Sequence, residues 1–135
     1  MIELRPFEKL GKSDHGWLKA NFHFSFADYR NNDRVHWGAL RVWNNDRIAP
    51  QSGFPPHPHR DMEIVTYVIK GAITHQDHLG NKGRTEAGQI QVSRKTVSCG
   101  LRPSALMAPA RHDQFRISCW PLSSTALSGR SRQVR

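Results

Sequence analysis

Cysteine is nearly missing from this chain of 135 residues: Cys99 and Cys119 are the only two, with no Cys-x-x-Cys spacing. That excludes both a disulfide framework and a zinc ribbon. No stretch approaches the roughly 18 consecutive apolar residues that a membrane-spanning helix needs. Met1 to Gly16 lacks the basic start and apolar run of a secretory signal. The expectation is a soluble, cytoplasmic protein without a membrane partner. Helical periodicity is scarce as well, which leaves strands to build whatever core the chain has.

Acidic residues are scarce in one region only. The formal net charge is +9, but Met1 to Val92 holds 12 Lys or Arg against 10 Asp or Glu, whereas Ser93 to Arg135 holds 8 against 1. The basicity belongs to the tail. A basic surface can attract nucleic acid, yet a tail rich in Ser and Pro with little periodicity reads first as disordered or poorly packed. Nucleic acid is therefore not the expected partner. The domain expectation is one unit over 1–92 and a divergent basic tail over 93–135.

Short strands fill the first part. Phe22, Phe24 and Phe26 recur at period two, predicting a strand within Gly16 to Tyr29. Gly38 to Trp43 alternates apolar and polar residues and predicts a second strand, broken by Asn44-Asn45-Asp46. Ile48 to Pro56 carries Pro50, Gly53, Pro55 and Pro56 and reads as a loop. Glu63 to Lys70, rich in β-branched and aromatic residues, is the clearest strand, with Ala72 to His78 as its expected hairpin partner. Turns at Leu79 to Gly83 and Ala87-Gly88 precede the alternating Gln89 to Val92. This pattern predicts an all-β sandwich or barrel.

The chemistry lies in His57-Pro58-His59, between the proline-rich loop and the strong strand. Two histidines at i and i+2 on an extended backbone point to one face and can share a metal ion. Neutral imidazole suits iron, nickel, copper, manganese or zinc, so the pair does not choose among them. Glu63 shares the face of His57 and His59 only if the strand is regular. Two surface histidines in a loop are the plain alternative.

The surroundings sharpen the metal reading. Gly53-x-x-x-His57-x-His59-x-x-x-Glu63 followed by Gly71 approximates the first signature of the cupin superfamily, and the run from His57 to Gly71 resembles the pirin family. So do His75 to Gly83, Ala87 to Val92 and, upstream, His15 to Leu18, Phe24 to Tyr29 and Leu40 to Val42. The resemblance implies a jelly-roll-like cupin β-barrel, incomplete at its C-terminus, with His57 and His59 as the first two ligands of a mononuclear divalent metal, iron first among the candidates. Relatives are two-barrel proteins whose other ligands, a histidine and a glutamate, form a His-x-Glu motif. Leu101, Arg102 and Pro103 stand at that place here.

The resemblance ends near Val92, where charge and composition also shift. A reading-frame change within the gene would produce such a break, and so would a natural short variant with a divergent tail. Within the tail, Phe115, Ile117 and Cys119 alternate, so Gln114 to Trp120 could add one more strand, ended by Pro121. The resemblance implies a quercetin 2,3-dioxygenase, opening a flavonol with dioxygen, whose catalysis the missing ligands put in doubt. The alternatives are a non-enzymatic metal-binding regulator working through a protein partner, and an inactive truncated pirin.

Overall fold

The structure, a computed structural model, describes residues 2–55, 62–76, 80–95, 100–102, 113–121 and 132–134, with side chains through Ser93. After a single 3-10 turn at Phe7–Lys9 come β1 (Gly11–Asp14), β2 (Leu18–Phe22), β3 (Val42–Ile48), β4 (Met62–Lys70) and β5 (Ala72–Gln76). Then follow β6 (Lys82–Glu86), β7 (Ile90–Lys95), β8 (Gly100–Arg102), β9 (Asp113–Pro121) and β10 (Arg132–Val134). They form a seven-stranded sheet in the order β1-β2-β3-β9-β4-β7-β10 and a three-stranded sheet in the order β6-β5-β8. The all-β expectation holds, and every strand pair is antiparallel.

The core shows how the two sheets meet. Leu18, Ala20 and Phe22 of β2, Ile48 of β3 and Val68 of β4 cluster with Ile73 of the smaller sheet, and Trp17, Tyr29 and Phe54 pack against them. Each large-sheet contributor sits at alternate positions of its strand, as period-two geometry requires. Ile48 and Val68 are wholly buried. The Tyr29 ring lies so close over Gly11 that a Cβ there would stand 2.6 Å from it, which is why β1 begins with glycine.

Three sequence expectations change. β2 stops at Phe22: the chain then turns, and Phe26 and Tyr29 close a two-residue turn with paired backbone bonds of 3.1 and 2.9 Å. Ala27 takes φ 49° in that turn. Phe24 is still buried, but Phe26 is 40% exposed, so the aromatic alternation outlasts the strand.

The polar triplet Asn44-Asn45-Asp46 is the middle of β3 rather than its end. Pairing on both sides, with β2 and with β9, overrides the poor strand propensity of Asn and Asp. Finally, β5 is no hairpin partner of β4. Gly71, at φ 82°, turns the chain into the smaller sheet, where β5 pairs with β6 and β8.

β7 continues through Ser93 to Lys95 without a break. β9 occupies the centre of the large sheet, matched to β3 from Val42↔Cys119 to Ile48↔Asp113 and to β4 from Met62↔Pro121 onward. No helix among the described residues is long and apolar enough to cross a membrane.

Candidate metal centre

His57 and His59 lie outside the described residues, so the site is approached through what flanks them. On the upstream side the loop after β3 is fastened down. The Ala49 amide donates to the Trp17 carbonyl at 2.8 Å, and the Ser52 amide closes a turn on the Ala49 carbonyl at 3.2 Å. Gln51 takes φ 60° in that turn. Phe54 then meets Trp17 edge to face, with ring centroids 5.3 Å apart and planes at 72°. Such an arrangement places the positive ring edge against the negative face. The chain is therefore anchored to the core three residues before His57.

On the downstream side β4 begins at Met62 and is hydrogen-bonded on both edges, to β7 and to β9. Its burial alternates: Ile64, Thr66 and Val68 are buried, while Tyr67 is exposed and Glu63 and Val65 are half-buried. Glu63 consequently belongs to the face opposite the core, at the register position of Arg94 on β7 and Trp120 on β9.

The segment standing where the resemblance puts the remaining ligands is β8. Leu101 pairs with His75 and Arg102 with Thr74. Leucine offers no donor atom and arginine keeps its charge, so neither supplies the lone pair a metal needs. His75 itself is buried, its ring resting on the Cα of Gly83, where an added Cβ would lie 2.7 Å from Nε2. That is the environment of a packed core histidine. His78 lies outside the described residues. Among the described residues no group of three or more His, Cys, Asp or Glu is arranged to hold a metal ion.

Sequence reasoning missed a second feature, a group of buried polar side chains on the core face of the large sheet. Asn44 and Asp46 project from the same face of β3 as the buried Ile48 and are 4% and 3% exposed. Thr66 of β4 and Gln91 and Ser93 of β7 are buried too. Burial pushes the Asp46 carboxyl up from 3.8 to about 7, because a charge without compensating partners is poorly solvated there. The signal was present in the alternation of β3, but a polar triplet reads as a break when the partner strand is 69 or more residues away in sequence.

Comparison with known proteins agrees with this architecture. The pirin family model matches residues 3–101. A Pseudomonas aeruginosa protein carrying a provisional quercetin 2,3-dioxygenase name is 72% identical over 92 residues, 68% of this chain and 40% of the relative. The quercetin 2,3-dioxygenase of Escherichia coli K12 is 44% identical over 104 residues, 77% of this chain and 44% of the relative. Crystal structures of the pirin YhhW from Escherichia coli cover the whole chain and somewhat over half of their own length. One superposes with a TM-score of 0.91 at 34% identity and covers 57% of the YhhW chain. The other, in complex with nickel(II), gives 0.85 at 35% identity and 58%. The chain thus spans less than half the length of the two curated relatives.

Proposed function

Since the chain belongs to the pirin family of cupin proteins, we propose that it binds one divalent transition metal through His57 and His59 and takes a flavonol-like molecule as its ligand. The observation that supports the metal is the placing of His57-Pro58-His59 between a loop anchored by Trp17 and Phe54 and the doubly paired strand β4. Both imidazoles suit nickel(II), which the Escherichia coli pirin binds, and iron equally well. Iron is the metal the family resemblance puts first. A metal held there would supply Lewis-acid polarisation of a coordinated oxygen.

What this chain's own residues do is more limited. The anchored loop through Pro55 and the paired strand from Met62 flank His57-Pro58-His59 in the sequence, and Asn44, Asp46 and Gln91 are buried polar side chains of the large sheet. Ring opening of quercetin by dioxygen is the activity named for relatives. Leu101 and Arg102, in place of the family's histidine and glutamate, favour a second reading: metal binding without turnover, in the service of a protein partner.

The experiment is elemental analysis of the purified chain and of a His57→Ala, His59→Ala double variant, followed by dioxygen uptake with quercetin. Near-stoichiometric metal that disappears in the double variant supports the centre, and quercetin-dependent uptake then supports the dioxygenase. Metal without uptake supports the second reading. A wild-type chain that purifies and remains without metal when supplied with iron(II) or nickel(II) overturns both.

A further inference from the structure

The expectation against nucleic acid rests on reading the basic tail as poorly packed, yet two pieces of that tail lie in the large sheet as β9 and β10. Their register decides which face their residues join. Alternate residues of a strand share a face, and residues directly opposite each other on neighbouring strands share one too. Leu18, Ala20, Phe22, Ile48 and Val68 take the core side, so Lys12, Lys19, Arg47 and Tyr67 stand on the outer side. Exposure agrees with that assignment: Lys12, Lys19 and Arg47 are exposed and Tyr67 is 40% exposed.

From these positions the pairing carries the outer face into the tail. Asn45, itself buried, is opposite Arg116, Arg116 is opposite Tyr67, and Tyr67 is opposite Ile90. In the neighbouring row Trp43 is opposite Ser118, followed by Val65, Val92 and Arg132. Glu63 lies between the positions of Trp120 and Arg94. One face of one sheet thus collects Lys12, Lys19, Arg47, Arg94, Arg116 and Arg132, with Trp43, Tyr67 and Trp120 among them. Against these cations stand only Glu63 and Asp14, the latter ion-paired with Lys19 at 3.2 Å.

From Lys19 on β2 to Arg132 on β10 there are five strand steps, roughly 24 Å at about 4.8 Å each. A small anion touches one or two of these charges, whereas a chain of phosphates meets them in succession. We propose that the outer face of the large sheet binds single-stranded nucleic acid, with phosphates against the cations and bases against Trp43 and Tyr67. Cations interleaved with aromatic rings are the combination on which unpaired strands are held, because every base has a face to stack. A duplex keeps those faces to itself, and an acidic protein would use the charges but not the rings. The inference is independent of the metal reading, and the failure of either leaves the other standing.

The test is fluorescence anisotropy of a labelled thymidine 20-mer titrated with the full chain at several salt concentrations. The expectation is binding at low salt that weakens with added salt, the logarithmic slope being about −2 or steeper for three or more phosphates at about −0.7 each. Arg47→Gln should flatten that slope by about 0.7, while Tyr67→Ala should weaken binding about fivefold or more with the slope kept. Lys82→Gln, on β6 of the smaller sheet, should change neither. Both face residues are exposed, and thermal unfolding checks that the variants fold; Arg47→Gln carries the test should Tyr67→Ala fail to fold. Absence of binding at low salt overturns the proposal, as does a Lys82→Gln effect equal to that of Arg47→Gln. Equal affinity for a duplex of the same length, or displacement of the 20-mer by polyglutamate at equal charge, overturns the assignment to an unpaired strand.

Discussion

Replacing Asp46 by asparagine should stabilise the protein at alkaline pH and do little at acid pH. The carboxyl is 3% exposed, Oδ1 has no hydrogen-bond partner, and burial raises its pKa from 3.8 to about 7. The folded state therefore holds this proton more tightly than the unfolded chain does. The stability it contributes is complete below about pH 3.8 and is lost as the pH climbs through about 7. A rise of roughly three units at 1.36 kcal/mol each makes the loss on the order of 4 kcal/mol. Asparagine has the same shape and no charge to bury, so it escapes that loss. For a domain of this size a difference of that order moves Tm by on the order of 10 °C. The assay is thermal unfolding of wild type and Asp46→Asn from about pH 3 to 8.5. The curves should nearly coincide near pH 3, separate progressively between about pH 4 and 7 with the variant higher, and keep a constant gap above that. A gap of constant size across the range would mean that Asp46 does not titrate between those limits, and the account of its burial would be wrong.

Further outcomes follow from the packing. Ile48→Ala, at a wholly buried position, should cost about 2–5 kcal/mol in urea unfolding, whereas Ile90→Ala, at a site 37% exposed, should change it much less. Gly83→Ala drives a methyl group into the His75 ring and should cost about 1–3 kcal/mol; unchanged stability would show that the ring can move aside. Phe54→Ala removes the edge-to-face contact with Trp17, which is worth about 0.5–1.5 kcal/mol beyond its buried area. Its more telling effect is weaker metal retention, measured by titration with a chelator, because the same contact holds the loop that leads to His57.

Much of the architecture was legible because its signals are local. β4 announces itself through Ile64, Val65, Thr66, Tyr67, Val68 and Ile69, and glycine marks its end. The family was legible through motifs spread over most of the first 92 residues. What escaped is non-local. Asn44-Asn45-Asp46 looks like a turn until β2 and β9 are known to flank it, and only then does the burial of Asn44 and Asp46 follow from alternation. The passage from β4 to β5 looks like a hairpin because Gly71 suits a turn in either geometry; the choice of sheet is made by β6 and β8, which follow later in the chain. The strand Asp113–Pro121 was marked by the alternation of Phe115, Ile117 and Cys119, but its place between β3 and β4 was not, since net charge and serine content say nothing of register. As for the site, spacing and the motif around them singled out His57 and His59, whereas the buried polar residues Asn44, Thr66 and Gln91 could not be related because they come from different strands.

The position of β9 also orders events during synthesis. β3 and β4 are separated in sequence by residues 49–61 but in space by a strand completed only at Pro121. Until that residue leaves the ribosome, the edges of β3 and β4 that will face β9 have no partner. Such long-range pairing slows folding and leaves strand edges available to other chains. The nascent chain thus passes through an interval in which β1-β2-β3 can pair but cannot be joined to β4, and the strand that ends this interval comes from the most basic part of the sequence, where charge repulsion opposes association between copies.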